Sequence, residues 1–392
     1  MIFRTITAIL AAMLCVVGAY AQRGHNSGFN LIVLGDTQPQ TEEQITRLSS
    51  EILPDIEEII AEYDTDDDIP EILLITGDVV WDTMAFLPRI KQMFEALGVE
   101  LFTVPGNHDY DRSIVGREHR ALREYRATFG RRYYATTIGQ SHLIALDNIL
   151  YTSYNDYSIG IDRREMRWLR RTLRHIPHDS RIIVAMHAPA VDFRTEELLP
   201  YAQEIIDLAE GRELHFITGH RHQNSTAYIN PTTTEHSVAQ VNGNLWFAPY
   251  CVDGTPRGVL CVEEREEALR WHFRTLGEER DYQMKAYPTG SVDGNEEYIV
   301  VKVWAWDERW RVEWSEEGVA QGAMEQIEAH DPDYMHYVDN EADHPEHIMQ
   351  RLRSSARPTK HLFRCRPSNP DSTITITATD SFGDSYSLTI TP

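Results

Sequence analysis

Leu101-Phe102-Thr103-Val104-Pro105-Gly106-Asn107-His108-Asp109 sets the pattern from which the rest of the chain can be read. A short apolar run breaks at Pro-Gly and is followed at once by an amide, an imidazole and a carboxylate. A run this brief, without polar alternation, suits a strand buried on both faces. Working outward, the same arrangement recurs. Leu31–Leu34 leads into Gly35-Asp36-Thr37-Gln38, and Ile72–Ile75 leads into Gly77-Asp78. Ile182–Ala185 is followed by His187, and Phe216–Thr218 by Gly219-His220-Arg221-His222. A sixth apolar run lies at Leu143–Leu146. Helical periodicity fills the gaps. In 162–175, Asp162 caps a helix, Glu165 completes a capping box, and Met166, Leu169 and Leu173 form the apolar stripe. Strands alternating with helices imply a layered α/β domain. In open α/β sheets, sites form beyond the carboxyl ends of the strands, so these polar groups are expected to converge on one edge.

The converging set is Asp36, Gln38, Asp78, Asn107, His187, His220 and His222, with His108 and Asp109 close behind. Carboxylate, imidazole and amide oxygen together suit Mn²⁺, Fe²⁺ or Zn²⁺. In an extended segment His220 and His222 face the same way and can address adjacent metals. Asp78 is the natural bridge between two ions if its strand lies mid-sheet. Two ions about 3.5–4 Å apart hold a hydroxide at neutral pH and clamp an in-line displacement at phosphorus. Each residue also has a plain structural reading. Asp36 and Asp78 are turn formers, Asn107 an Asx turn, His187 a core histidine. Five motifs in order at strand ends outweigh those readings. His215, His236 and His361 lack such a context and are read as structural or surface residues.

Asp-x-Gln, Gly-Asp, Gly-Asn-His-Asp, a lone His after a strand and Gly-His-x-His stand in the order of the calcineurin-like metallophosphoesterase superfamily. The chain resembles it over roughly residues 29–275. The resemblance implies an α/β/β/α sandwich, and Asp36, Gln38, Asp78 and His222 around a first metal. Asp78, Asn107, His187 and His220 would surround a second. It implies hydrolysis of a phosphate mono- or diester by direct attack of a metal-bridging hydroxide. His108 would protonate the leaving oxygen, with Asp109 orienting its ring. Gln38 departs from the pattern, since most members carry His there, and a neutral amide is a weaker ligand. The tail, with Thr359-Lys360-His361 and Asp380-Ser381-Phe382-Gly383, also resembles the C-terminal domain of some exported bacterial members.

Composition narrows the alternatives. Against 37 Lys+Arg stand 61 Asp+Glu in 392 residues, a net charge of −24, which disfavours nucleic acid or anionic lipid as partner. With 42% hydrophobic residues the chain has ample core material. Residues 1–21 read as a signal peptide: Arg4, an apolar run over Ala8–Gly18, then Ala19-Tyr20-Ala21 before Gln22. Export to the periplasm or medium follows. A lipoprotein at Cys15 and an uncleaved anchor are the alternatives, and after cleavage no membrane insertion is expected. Cys251, Cys261 and Cys365 then leave either one disulfide and a free thiol, or three buried thiols.

The organisation expected is a signal peptide at 1–21, the α/β domain at 29–285, and a small β-sandwich-like domain at 290–392. In the latter, Tyr298–Trp306 and Trp310–Trp314 suggest a hairpin packed by its tryptophans, and Thr373–Thr379 with Tyr386–Thr391 a second. The acidic run 64–68 reads as a solvated loop and the arginines of 162–175 as a solvated face. The substrate is a small phosphate ester or a phosphorylated macromolecule. The competing reading is an exported metal- or glycan-binding protein whose site no longer turns over.

Overall fold

The computed structural model describes residues 28–63, 69–153, 155–192, 195–265 and 268–391. The proposed signal peptide, Cys15 and the acidic run 64–68 lie outside them. Thirteen strands build the first part of the chain: β1 (Gly28–Leu34), β2 (Glu71–Ile75), β3 (Glu100–Thr103), β4 (Tyr134–Ile138), β5 (Ser141–Ala145), β6 (Ile149–Ser153), β7 (Asp156–Ile159), β8 (Arg181–Ala185), β9 (Leu214–Thr218), β10 (Ser225–Asn230), β11 (Thr233–Ser237), β12 (Gly258–Arg265) and β13 (Ala268–Thr275). They form two sheets, β13-β12-β1-β2-β3 and β10-β11-β9-β8-β5-β4, with β6 and β7 as a separate hairpin.

The absence of polar alternation in the strands now has its cause. In β1, Leu31 and Val33 face the inter-sheet core with Leu143, Ile183 and Ile217. Ile32 and Leu34 face outward, under Ile45, Ile56 and Ile90 of the helices at Glu42–Arg47, Leu53–Tyr63 and Leu87–Glu95. The second sheet repeats this with Ile182, Val184 and Phe216 under the helices Arg163–Leu173 and Pro200–Ala209. Both faces of both sheets are covered, giving four layers, α/β/β/α.

Asp162 does cap its helix, accepting from the N–H groups of Arg164 and Glu165. Glu165 does not complete a capping box. Its buried carboxylate instead accepts the Asp147 N–H at the end of β5, 2.8 Å away.

The remaining strands are β14 (Met284–Tyr287), β15 (Ile299–Val303), β16 (Arg311–Glu316), β17 (Val319–Ala323), β18 (Glu325–Ala329), β19 (Thr359–Cys365), β20 (Ile374–Thr379) and β21 (Ser385–Ile390). They form sheets β14-β15-β19-β18 and β17-β16-β20-β21 around a shared core of Ile299, Val301, Val312, Phe363 and Ile376. The β20–β21 hairpin is as expected. The hairpin expected between 298–306 and 310–314 does not form. β15 pairs with β14 and β19, whereas β16 pairs with β17 and β20 in the other sheet. Asp307-Glu308-Arg309 is thus a crossing between sheets, and Trp306, Trp310 and Trp314 pack on the core that the two sheets share. Cys251, Cys261 and Cys365 are three buried free thiols, the second of the two alternatives. No described helix is long and apolar enough to cross a membrane.

Between the two large sheets, His215 of β9 and His236 of β11 stack at 5.3 Å with Trp271 edge-on to both. Burial pushes both imidazoles below their usual range; His215 also depresses His236, while Glu213 partly restores His215 against Arg181. Below the ordinary imidazole pKa of about 6.5 the unfolded chain therefore binds protons that the folded one refuses, and stability falls as pH falls. Each such imidazole adds a slope of about 1.4 kcal/mol per pH unit. Urea unfolding between about pH 5.5 and 7 should show a shallower slope for His236→Gln than for the unchanged protein. Equal slopes would refute this origin.

Candidate metal centre

Strand register brings the polar turns together. Leu34 of β1 lies opposite Ile75 of β2, and Ile75 opposite Thr103 of β3. The turns bearing Asp36, Asp78 and Asn107 are therefore neighbours. In the second sheet Ala185 lies opposite Ile217, which sets His187 beside the turn that holds His220. The two sheets are tied at this edge by the segment after β11. Val238 N–H donates to Thr218 O at 2.8 Å, and Val241 N–H donates to Gly35 O at 3.0 Å.

Asp78 is the centre of the arrangement. It is buried, and its Oδ2 lies 2.6 Å from Gln38 Nε2 on one side and 3.4 Å from His187 Nε2 on the other. His187 Nε2 is 3.1 Å from Asn107 Oδ1 and 3.0 Å from His220 Nδ1. Asp78, His187 and His220 place ligand-capable atoms within 4.8 Å of one another. Across from them, Asp36 Oδ1 is 3.6 Å from His222 Nε2, and Asp36 Oδ2 accepts the His220 N–H at 3.0 Å. The seven proposed ligands thus gather in one place, with Asp78 between Gln38 and His187, and Asp36 meeting His220 and His222.

Several observations fit a pair of cations. Asp36 Oδ1 is buried and accepts no hydrogen bond. His187 donates its Nδ1–H to Thr76 O, 2.8 Å away, which leaves Nε2 facing the site. Gln38 Oε1 is 2.7 Å from Gln240 Nε2. Amide oxygen and nitrogen are assigned from their partners, so a half-turn of both amides keeps the Gln38–Gln240 bond. That half-turn sets Gln38 Oε1 against the Asp78 carboxylate. Two oxygens facing each other at that distance repel unless a cation lies between them, and with one they form a ligand pair.

The backbone is bent to serve this edge. Asp36, Gln38, Asp78, His220 and His222 all have positive φ, between 37° and 66°, a conformation that costs non-glycine residues of order 1–3 kcal/mol each. His220 and His222 are therefore not in an extended segment, and their shared direction comes from this left-handed geometry. Gly106 has no room for a side chain: a Cβ there would lie 2.2 Å from Asp78 N and Oδ1. Gly77, at φ 89°, would meet His187 Nδ1 at 2.7 Å.

His108 lies beside the carboxylates, its N–H donating to Asp78 Oδ1 at 2.8 Å. Its ring partner is not Asp109. His108 Nδ1 is 2.9 Å from Asp82 Oδ1, while Arg112 grips Asp82 Oδ2 at 2.6 Å, and Trp81 stacks on the imidazole at 3.9 Å. Asp109 is fully buried behind the turn, accepting from the N–H groups of Gly106, Val79 and Val80. It braces the two turns rather than orienting the imidazole. Asp82 was legible only as a second acid in the turn after β2. Gln240, and Tyr157 whose ring meets His220 edge-on at 6.4 Å, carried no signal, because they arrive from a remote loop and a hairpin.

Burial alone would raise Asp78, but His187 and His108 beside it hold its carboxyl well below the usual range. Burial opposes charge on His187, yet Asp78 and Asp36 lift it to about 9. Burial and the neighbouring His187 keep His220 down at about 3. Asp109 is raised to about 7 by burial and by Asp78, against the pull of its three N–H donors. Adjacent groups driven in opposite directions mark a functional site.

Residues 29–224 match the family model described as calcineurin-like phosphoesterase, and residues 235–386 match the one described as C terminal of calcineurin-like phosphoesterase. The chain belongs to the calcineurin-like phosphoesterase family. Among solved structures it is similar to a dimetal phosphatase from Danio rerio, at 11% identity and TM-score 0.42, covering 64% of this chain and 99% of that one. It is also similar to a phosphopantetheinyl hydrolase from Mycobacterium tuberculosis, at 13% identity and TM-score 0.35, covering 55% and 91%. A 5′-nucleotidase from Candida albicans matches at 12% identity and TM-score 0.39, covering 65% and 53%. No curated protein matches the chain.

Replacing Gln240 removes the group that holds the Gln38 amide. Gln240→Leu should weaken Mn²⁺ binding about 10–100-fold, the usual cost of losing an outer-shell partner. Titration followed by electron paramagnetic resonance measures this, and unchanged affinity would show that Gln38 needs no such support.

Proposed function

We propose that the chain is an exported dinuclear metal-dependent phosphoesterase that hydrolyses a phosphate mono- or diester. The observation that carries this reading is the shared Asp78 carboxylate. It lies between Gln38 and His187, so that Gln38 would join Asp36 and His222 at one ion while His187 would join Asn107 and His220 at the other. Two divalent ions, Mn²⁺, Fe²⁺ or Zn²⁺, would supply Lewis-acid polarisation of the phosphoryl group and a nucleophile usable at neutral pH.

The chain's own residues do the rest. With Nδ1 bound to Asp82, His108 keeps Nε2 for the proton that the leaving oxygen takes up. Burial disfavours its charge, but Asp78 and Asp82 raise His108 above the ordinary imidazole value, so the proton is held until it is needed. Trp81 fixes the plane of the ring, and Arg112 fixes Asp82. Thr76 O orients His187, and Gln240 orients Gln38.

Turnover of p-nitrophenyl phosphate and bis-p-nitrophenyl phosphate by metal-stripped protein reloaded with Mn²⁺ tests this. We expect hydrolysis of at least one, and His108→Ala to lower kcat about 10²–10⁴-fold. Bound Mn²⁺ with no turnover of either ester would favour a binding protein instead. Export predicts that the mature protein begins at Gln22, which intact mass would show; retention of residues 1–21 would refute cleavage.

A further inference from the structure

Among the elements by which the C-terminal domain reaches the catalytic edge is the helix Glu346–Ser355. Met349 and Leu352 of that helix pack on Ala248, Tyr334 and Val338. Its end is fastened by Asn244 Nδ2, which lies 2.7 Å from both Ser355 Oγ and Tyr334 Oη. The loop carrying Asn244 also places Trp246 Nε1 3.0 Å from Thr37 O, in the turn between Asp36 and Gln38. The helix is thus registered to the metal centre through a few rigid contacts.

What it delivers is Arg351. The guanidinium carbon lies 4.8 Å from the centre of the Trp81 ring, and Trp81 stacks on His108 at 3.9 Å. Trp81 therefore contacts both the His108 imidazole and the Arg351 guanidinium. A small cavity runs alongside, touching Gln38, Trp81, Phe247 and Arg351. Other cations near this loop are committed: Arg47 and Arg257 both bond Glu51, and Arg112 bonds Asp82. No carboxylate pairs with Arg351 among the described residues, although the residue is exposed and the chain carries a net charge of −24. Although the residue as a whole is exposed, partial desolvation lowers the pKa of its guanidinium.

The Trp81 ring thus links this guanidinium to His108, the proposed proton donor to the leaving oxygen. Resting on the phosphoesterase reading above, we infer that Arg351 is a specificity-determining residue. It selects substrates whose leaving group bears its own negative charge, such as the second phosphate of a pyrophosphate-linked ester. A planar guanidinium binds phosphate oxygens bidentately, and an aromatic face beneath it holds the fork in place. The contact also gives the appended domain a share in substrate choice.

The test is a ratio measured on the full Mn²⁺-loaded chain. For diesters, kcat/KM on a uridine diphosphate sugar is compared with bis-p-nitrophenyl phosphate. For monoesters, inorganic pyrophosphate is compared with p-nitrophenyl phosphate. Arg351→Gln should lower the charged-to-uncharged ratio about tenfold or more, chiefly through KM. Arg351→Lys should keep part of it, and added salt should lower it only while the cation is present. An unchanged ratio overturns the inference even if both activities fall, because a prop for Trp81 and His108 would slow all substrates alike. Failure of the unchanged protein on every ester would overturn the phosphoesterase reading itself, and this inference with it.

Discussion

The structure turns on a buried carboxylate that no arginine or lysine among the described residues neutralises. Asp78 sits where the carboxyl ends of two sheets meet, with two imidazoles, two amides and Asp36 around it. A buried charge of this kind is costly unless it is paired or coordinates a metal. Part of that cost is met by the His108 N–H, which donates to Asp78, and by the neighbouring His187, whose affinity for a proton the carboxylate raises. The chain adds strained backbone at five neighbouring residues, and two glycines pressed against Asp78 and His187. None of these features improves packing of the core. They make sense together as a cage whose occupant is positively charged.

That cage requires both sheets to stay in register, and the segment after β11 does this. Val238 and Val241 bond one sheet and then the other, so that Gln240, between them, enters the site. The chain then runs through Asn244 and Trp246 to Cys251, whose Sγ is 3.2 Å from Gln240 O. The same loop seats the helix Glu346–Ser355. A displacement of the C-terminal domain would therefore be felt at Gln240 and Thr37 without passing through either large core. Buried Lys302 adds to the joint, pairing with Asp331 at 3.2 Å and reaching Asp253 O.

The turns after β1, β2, β3, β8 and β9 were legible because apolar run, glycine and polar ligand follow one another within a few residues. Local order sufficed there, since strand direction and the carboxyl-end rule determine the rest. What depended on long-range geometry was not legible. Asp109, adjacent to His108 in sequence, was expected beside its ring, but the short helical turn at Asn107–Asp109 rotates it inward to the Val79 and Val80 N–H groups. Asp82, which takes that place, comes from another turn. The same limit misassigned the first tail hairpin. A three-residue polar gap looks like a hairpin turn whether the next strand pairs with its predecessor or crosses to the facing sheet, and only the shared core decides.

Gln38 is the position where sequence and structure together say more than either alone. An imidazole in its place would present one lone pair in a fixed direction, with a second nitrogen available to lock the ring. An amide has a free terminal torsion and a donor as likely to face the site as the acceptor. Left alone it would spend its time donating to Asp78, as it does at 2.6 Å. Gln240 changes the balance, because its amide can accept from Gln38 Nε2 as readily as donate to Oε1. The pair therefore has two hydrogen-bonded states, one suited to an empty carboxylate and one to a cation beside it. A ligand that reorients with its partner, rather than breaking from it, would let a cation held there leave or be exchanged at small structural cost. That freedom to reorient is the physical consequence of an amide at the position that departs from the family pattern.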